Sequence, residues 1–245
     1  QYVRYLADLA RGDFGPSFQY KDYSVNELIA TGFPVSLRLG GTAILLAFLI
    51  GSALGTIAAL KQNTRTDYTV MATAMTGISV PNFVMAPLLI LVFAVFLKWL
   101  PAGGWNGGAF ANTILPIVAL TLPYIAYIAR LMRGSMIEVL RSNPIRTARA
   151  KGLPDRTIIL RHAMKPALLP VISFLGPAAA GIITGSVVIE QIFGIPGLGR
   201  YFVQGALNRD YTLVMGVVVF YGILIIAFNL IVDLVYAMLD PKIRY

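Results

Sequence analysis

Residues 34–60 read PVSLRLGGTAILLAFLIGSALGTIAAL, and the only charge among them is Arg38, close to one end. A helix rises about 1.5 Å per residue, so about 20 apolar residues cross the hydrocarbon core of a bilayer. This stretch is long enough, and Arg38 stands where a long side chain reaches the interface. Four similar stretches follow, at about 68–97, 113–137, 166–189 and 212–239. The first of these holds no charge, but Pro81 and Pro87 predict a break or kink, because each lacks an N–H and clashes with the preceding turn. Upstream, residues 1–10 are short and amphipathic, and Gly12-Asp-Phe-Gly-Pro16 reads as a turn. The expected fold is all-α: a polytopic bundle with five membrane helices in this chain, residues 1–245 forming one domain.

Composition supports this. Apolar residues make up 57% of the chain and charged residues 13%, against roughly 45–50% and about 25% in soluble domains. That is too little charge to cover a soluble surface. With no cysteine, a disulfide framework, a thiol nucleophile and thiolate metal ligands are excluded, and a single histidine excludes multi-His metal sites. No catalytic residue set and no metal site is expected.

The formal net charge of +9 is a topology signal. Lys61, Arg65, Arg130, Arg133, Arg141, Arg146, Arg149, Lys151, Arg156, Arg161, Lys165, Lys242 and Arg244 fall on one side of the segments. Fewer cations, Arg4, Arg11, Lys21, Arg38, Lys98, Arg200 and Arg209, fall on the other. The positive-inside rule makes the first side cytoplasmic. The C-terminus is then inside, membrane lipid accounts for the charge, and no nucleic-acid partner is expected. Residue 1 falls outside and is Gln rather than Met, so a sixth membrane helix is expected ahead of it. Gly51/Gly55 and Gly181/Gly185 are small-residue spacings that suit close helix packing, within the chain or against another subunit.

The most informative connection is Arg141 to Pro166, RSNPIRTARAKGLPDRTIILRHAMKP. It predicts a short helix with Asn143 as cap and Pro144 as first residue, a left-handed Gly152, a stop at Pro154, and a second helix capped by Asp155. A helix this short is marginal alone and must dock on something. Ala148, Ala150 and Gly152 permit close approach to a groove, and Arg146, Arg149 and Lys151 can meet acidic groups of a partner. A loop lying on anionic headgroups fits the same residues.

Residues 146–152, Arg-Thr-Ala-Arg-Ala-Lys-Gly, resemble the EAA loop of bacterial ABC importer permeases as it stands in the oligopeptide/dipeptide/nickel branch. The generic Glu is absent, Thr147 stands at the second position, and Pro166 is displaced by about one residue from the distal Pro. Gly12-Asp-Phe-Gly-Pro-Ser17, Phe193-Gly-Ile-Pro-Gly197, Ala206-Leu-Asn-Arg-Asp-Tyr211 and Asp240-Pro-Lys-Ile-Arg-Tyr245 extend the resemblance along the chain, nearest to the B-type subunits of the oligopeptide permeases.

The resemblance implies a subunit of the bacterial cytoplasmic membrane that forms half of a translocation pathway. It implies a homologous second permease, two ABC ATPases, an extracytoplasmic substrate-binding protein and a peptide substrate. The chain is then a transport subunit rather than an enzyme. It lacks a phosphate-binding loop, so ATP and Mg are used by the partner ATPases and no cofactor is bound here. Residues 141–165 are the coupling loop, with Arg146, Thr147, Ala148, Arg149, Lys151 and Gly152 as the ATPase contact. Glu190, at the outer end of the fourth stretch, is a candidate contact for substrate or binding protein, or else a solvated interfacial charge or ion pair. Rival cargoes are nickel chelates or other small solutes. The rival class is an ATP-independent secondary transporter, for which ionisable groups at mid-membrane are the discriminating feature.

Overall fold

Ser24 and Glu27 form a capping box. The Ser24 N–H and hydroxyl donate to Glu27 Oε2 at 2.8 and 3.0 Å, and the Glu27 N–H donates to Ser24 Oγ at 3.2 Å. The first long helix therefore starts at Val25 rather than at Pro34, and Pro34 lies inside it. The computed structural model describes residues 2–239, so Lys242, Arg244 and the terminal 240–245 motif lie outside the described residues.

The elements are α1 (Tyr2–Ala10), α2 (Val25–Leu60), α3 (Arg65–Ser79), α4 (Asn82–Leu89, continued by a π turn Ile90–Phe96) and α5 (Phe110–Leu140). They continue with α6 (Asn143–Ala150), α7 (Asp155–Thr157, continued by a π turn Ile158–Ala163), α8 (Met164–Gly185), α9 (Val187–Phe193), α10 (Leu198–Leu207) and α11 (Tyr211–Leu239). The helix breaks at Pro81 as expected, whereas Pro87 lies inside α4. Among the described residues, four helical runs are long and apolar enough to cross a membrane, and a fifth if the pair broken at Pro81 is one span. The second helix of the inner loop is not separate: α7 runs through its π turn into α8.

Two compact units emerge. One comprises Gln1–Thr42, Asn82–Leu120 and Ala180–Ala227. Its core joins Val25, Leu28 and Ile29 to Leu198, Leu213 and Val217, with Phe33 edge-on to Phe220 at 5.0 Å. Arg38 does not simply reach for the interface: its guanidinium lies 5.6 Å from the Trp105 ring centre, a cation–π contact.

Asp210 is buried at the start of α11. Its carboxylate accepts from Ser17 Oγ (2.5 Å), the Gln19 N–H (3.0 Å), Thr212 Oγ1 (3.0 Å) and the Leu213 N–H (3.1 Å). It caps α11 and clamps the 16–19 loop to it. Burial pushes the Asp210 carboxyl up, but hydrogen bonds from Ser17 and the N–H groups of Gln19, Leu213 and Phe18 outweigh burial and hold it below the ordinary carboxylate range. A lowered value stabilises the fold above the ordinary pKa, and that stability is lost as pH falls through the folded value. Acidification to below the ordinary carboxylate range should therefore free residues 16–19. Asp210→Asn should cost about 1–2 kcal/mol at neutral pH and remove that acid dependence. Hydrogen exchange in this loop is the readout; identical acid profiles in both proteins would contradict the clamp.

The other unit comprises Ala43–Pro81, Thr121–Ala179 and Phe228–Tyr245. Its core runs from Ala47 and Ala59 of α2, through Ile128, Met132 and Met136 of α5, to Ile145, Ala148, Ile158, Ala163, Ala167 and Val171. The Gly51/Gly55 spacing is used internally. A Cβ at Gly51 would stand 2.8 Å from Ile128, and one at Gly55 would stand 2.5 Å from the Ala129 carbonyl oxygen, so α2 and α5 touch backbone to backbone.

Candidate functional site

The inner loop is positioned from α5. Asp67, at the start of α3, is 1% exposed and takes a bidentate ion pair from Arg133, Nε to Oδ1 at 2.7 Å and Nη2 to Oδ2 at 2.6 Å. Asp67 also accepts the Asn63 N–H at 2.9 Å, while Thr64 Oγ1 accepts the Asp67 N–H at 3.5 Å. Arg141 donates to Gln62 Oε1 at 3.0 Å. The turn between α2 and α3 is thus strapped to the end of α5, immediately ahead of the loop. Arg133 and Arg141 had been legible only as topology charges. The missed signal is Thr64-x-x-Asp67, a capping-box spacing.

The loop helix α6 spans eight residues. Its cap is Ser142, in extended conformation (φ −70°, ψ 157°), rather than Asn143; Pro144 at the start of the helix needs no amide partner there. The end is a Schellman motif: the Gly152 N–H donates to the Arg149 carbonyl at 2.9 Å and the Leu153 N–H to the Ala148 carbonyl at 3.3 Å. Gly152 takes φ +73°, the left-handed conformation expected of it.

Ile145 and Ala148, three apart, share one helix face and are buried at 1% and 5%. They pack into the core that holds Met132, Met136 and Ile158. This corrects the expected contact set. Ala148 anchors α6 to its own subunit and is not offered to a partner. Arg146, Thr147, Arg149, Ala150, Lys151 and Gly152 are exposed. Arg149 and Lys151 stand at the end of α6, where cations complement the helix dipole. Among the described residues, Arg146, Arg149 and Lys151 make no ion pair. The outward face is a basic, solvent-accessible surface on a helix fixed from behind.

Glu190 is a second correction. It is 0% exposed, so it is neither a solvated interfacial charge nor available to substrate or binding protein. Its carboxylate accepts from Ser36 Oγ and Ser186 Oγ, each at 2.6 Å, and from the Arg200 N–H at 3.2 Å. Ser36 Oγ in turn accepts the Leu198 N–H at 2.9 Å. Glu190 therefore closes the N-terminus of α10, where exposed N–H groups favour an anion. Gly197 and Gly199 leave the space the carboxylate fills. Among the described residues, no group of three or more His, Asp or Glu is placed to hold a metal ion.

Comparison with known proteins accords with this architecture. The chain is 67% identical over 245 residues to the oligopeptide transport system permease protein OppB of Salmonella typhimurium, covering 100% of this chain and 80% of that protein. It is 50% identical over 244 residues to the dipeptide transport system permease protein DppB of Bacillus subtilis, covering 100% and 79%. The inward facing MetNI methionine ABC transporter superposes with a TM-score of 0.73 at 20% identity, over 87% of this chain and 96% of that one, a likeness of fold. Residues 51–245 match the family described as the binding-protein-dependent transport system inner membrane component. With that match over most of its length, the chain belongs to this family of multi-pass inner-membrane permeases.

Proposed function

We propose that this permease forms half of the translocation pathway of an ABC importer for oligopeptides or dipeptides, with residues 1–245 as one permease domain. A homologous second permease completes the pathway, an extracytoplasmic binding protein delivers the cargo, and two ABC ATPases hydrolyse Mg-ATP on the cytoplasmic side, where the C-terminus lies. Residues 141–165 couple the ATPases to the membrane helices, through Arg146, Thr147, Arg149, Lys151 and Gly152. The observation that carries the coupling role is the division of α6. One face is locked into the core by Ile145 and Ala148, and the other is basic and unpaired among the described residues. The peptide cargo is supported by the names of relatives at 50–67% identity.

The test is uptake of defined short peptides by vesicles holding the full-length chain, the second permease, the ATPases and the binding protein. ATP-dependent accumulation is expected. A Cβ at Gly152 would meet nothing within 4 Å, so Gly152→Ala carries only the cost of φ +73°, about 1 kcal/mol. Gly152→Asn, which tolerates that conformation, should keep the fold and lose less uptake than Gly152→Glu. Gly152→Glu adds bulk and negative charge to the docking face and should lower uptake at least about tenfold, with the ATPases still bound. Full uptake by Gly152→Glu would overturn the coupling assignment. An assembled, ATP-hydrolysing complex that moves no peptide would overturn the cargo.

A further inference from the structure

Two kinds of exposed surface occur on the long helices. On α11 the exposed side chains include Met215, Val218, Ile226, Leu230 and Leu234, a face suited to lipid. On α3 the exposed residues include Thr69, Thr73, Thr76 and Ser79, and Tyr68 is the only large hydrophobic among them. The hydroxyls of Thr69, Thr76 and Ser79 donate to the carbonyls of Arg65, Thr73 and Met75 at 2.8, 2.7 and 3.0 Å. Their protons are thereby used, and the oxygens present acceptor lone pairs outward.

Beside this stripe, α5 exposes Tyr127 and Arg130. Arg130 Nη2 lies 3.1 Å from Met75 Sδ, and its guanidinium carbon lies 5.9 Å from the Tyr127 ring centre. Tyr127 is itself braced by Phe174, with ring centres 5.9 Å apart. Both partners of Arg130 are neutral, and among the described residues no carboxylate lies within ion-pair distance. Nor does the side chain run to the basic end of α5, with whose cations Arg130 was counted in the sequence. Helical side chains lean toward their own N-terminus, so Arg130 leans away from the end that carries Arg133 and Arg141. Its contact, Met75, stands about 12 Å along α3 from Asp67. Arg130 lies within Phe110–Leu140, a helix long and apolar enough to cross a membrane, and a guanidinium within such a helix without a counter-ion is costly in lipid and points to water beside it.

We infer that Thr69, Thr73, Thr76 and Ser79 of α3, with Tyr127 and Arg130 of α5, line the water-filled lane through which cargo passes, and that Arg130 receives the cargo's carboxylate. The lane offers acceptor oxygens for amide N–H groups and one fork for a carboxylate, the two groups a peptide with a free C-terminus presents. The choice of a peptide rests on the function proposed above; the water-filled lane does not.

Because the chain lacks cysteine, single-cysteine variants in the assembled importer test the lane whatever the cargo. Thr76→Cys and Tyr127→Cys should react with charged methanethiosulfonates at least about tenfold faster than Ile226→Cys, since thiolate chemistry needs water. At Thr76→Cys the anionic reagent should be favoured over the cationic one, and Arg130→Gln should abolish that preference. In uptake, Arg130→Gln should slow peptides with a free carboxylate about tenfold, the size of one charge-assisted hydrogen bond, and spare C-terminally amidated ones. Labelling no faster than Ile226→Cys would overturn the lane. An unchanged reagent preference, or equal slowing of acid and amide, would overturn the role of Arg130. If the unmodified importer moved neither peptide form, the peptide cargo would fail alone, and the labelling would still decide the lane and its charge.

Discussion

Arg133→Ala is expected to destabilise the permease by about 3–5 kcal/mol, because it leaves a buried carboxylate without its cation. Asp67 is 1% exposed and both its oxygens are engaged by Arg133. Truncation removes two charge-assisted hydrogen bonds and leaves the desolvation cost in place. Arg133→Lys restores charge but not the planar fork, so it should recover only part of the loss. Adding Asp67→Asn to Arg133→Ala should recover stability relative to Arg133→Ala alone, since the amide oxygen can still accept the Asn63 N–H and no charge is stranded. The unfolding midpoint of the detergent-solubilised permease reads these three and the Asp67→Asn single variant, and strictly additive single and double variants would show that the pair carries no coupling.

Glu190→Ala should cost at least about 3 kcal/mol by a different route. No cation is lost. Instead the Ser36 and Ser186 hydroxyls and the Arg200 N–H lose their acceptor inside the protein, and α10 loses the anion at its N-terminus. Gly197→Ala attacks the same clamp from outside, because the new Cβ would run into the Glu190 carboxylate. Both variants should show faster hydrogen exchange at Leu198–Arg200, and Ser36→Ala a smaller effect in the same amides. A Glu190→Ala protein of normal stability that failed only in transport would argue against the clamp.

The apolar stretches, the break at Pro81 and the left-handed Gly152 were all legible in the sequence, because each is set by a few neighbouring residues. Helix starts were less so. The apolar stretch opens at Pro34, but the Ser24/Glu27 box upstream decides where α2 begins. The inward face of α6 was hidden for another reason. Eight residues carry only two anchoring positions, Ile145 and Ala148, and alanine suits a buried contact and a docking groove equally well. Long-range partners were out of reach. Asp67 and Arg133 are 66 residues apart, and Ser36 and Glu190 are 154 apart. Periodicity along one segment says nothing about its register against another. Glu190 therefore looked like an edge charge until Ser36, Ser186 and the start of α10 were seen around it.

The π turn at Ile158–Ala163 has a consequence for chain length. Each of its i→i+5 bonds encloses one residue more than an α-helical bond. Pro166 departs from the generic loop pattern by about that amount, so the wide turn is a place where one residue is stored without breaking the helix. Removing one residue there would let α7 and α8 join as a regular α-helix. Everything on the loop side would then turn by about 100° against α8, carrying the buried Ile158 off its core face. A permease that has lost this residue must repack the seat of its coupling helix, so gaps in this loop among relatives should be accompanied by substitutions at Ile145, Ala148 and Ile158.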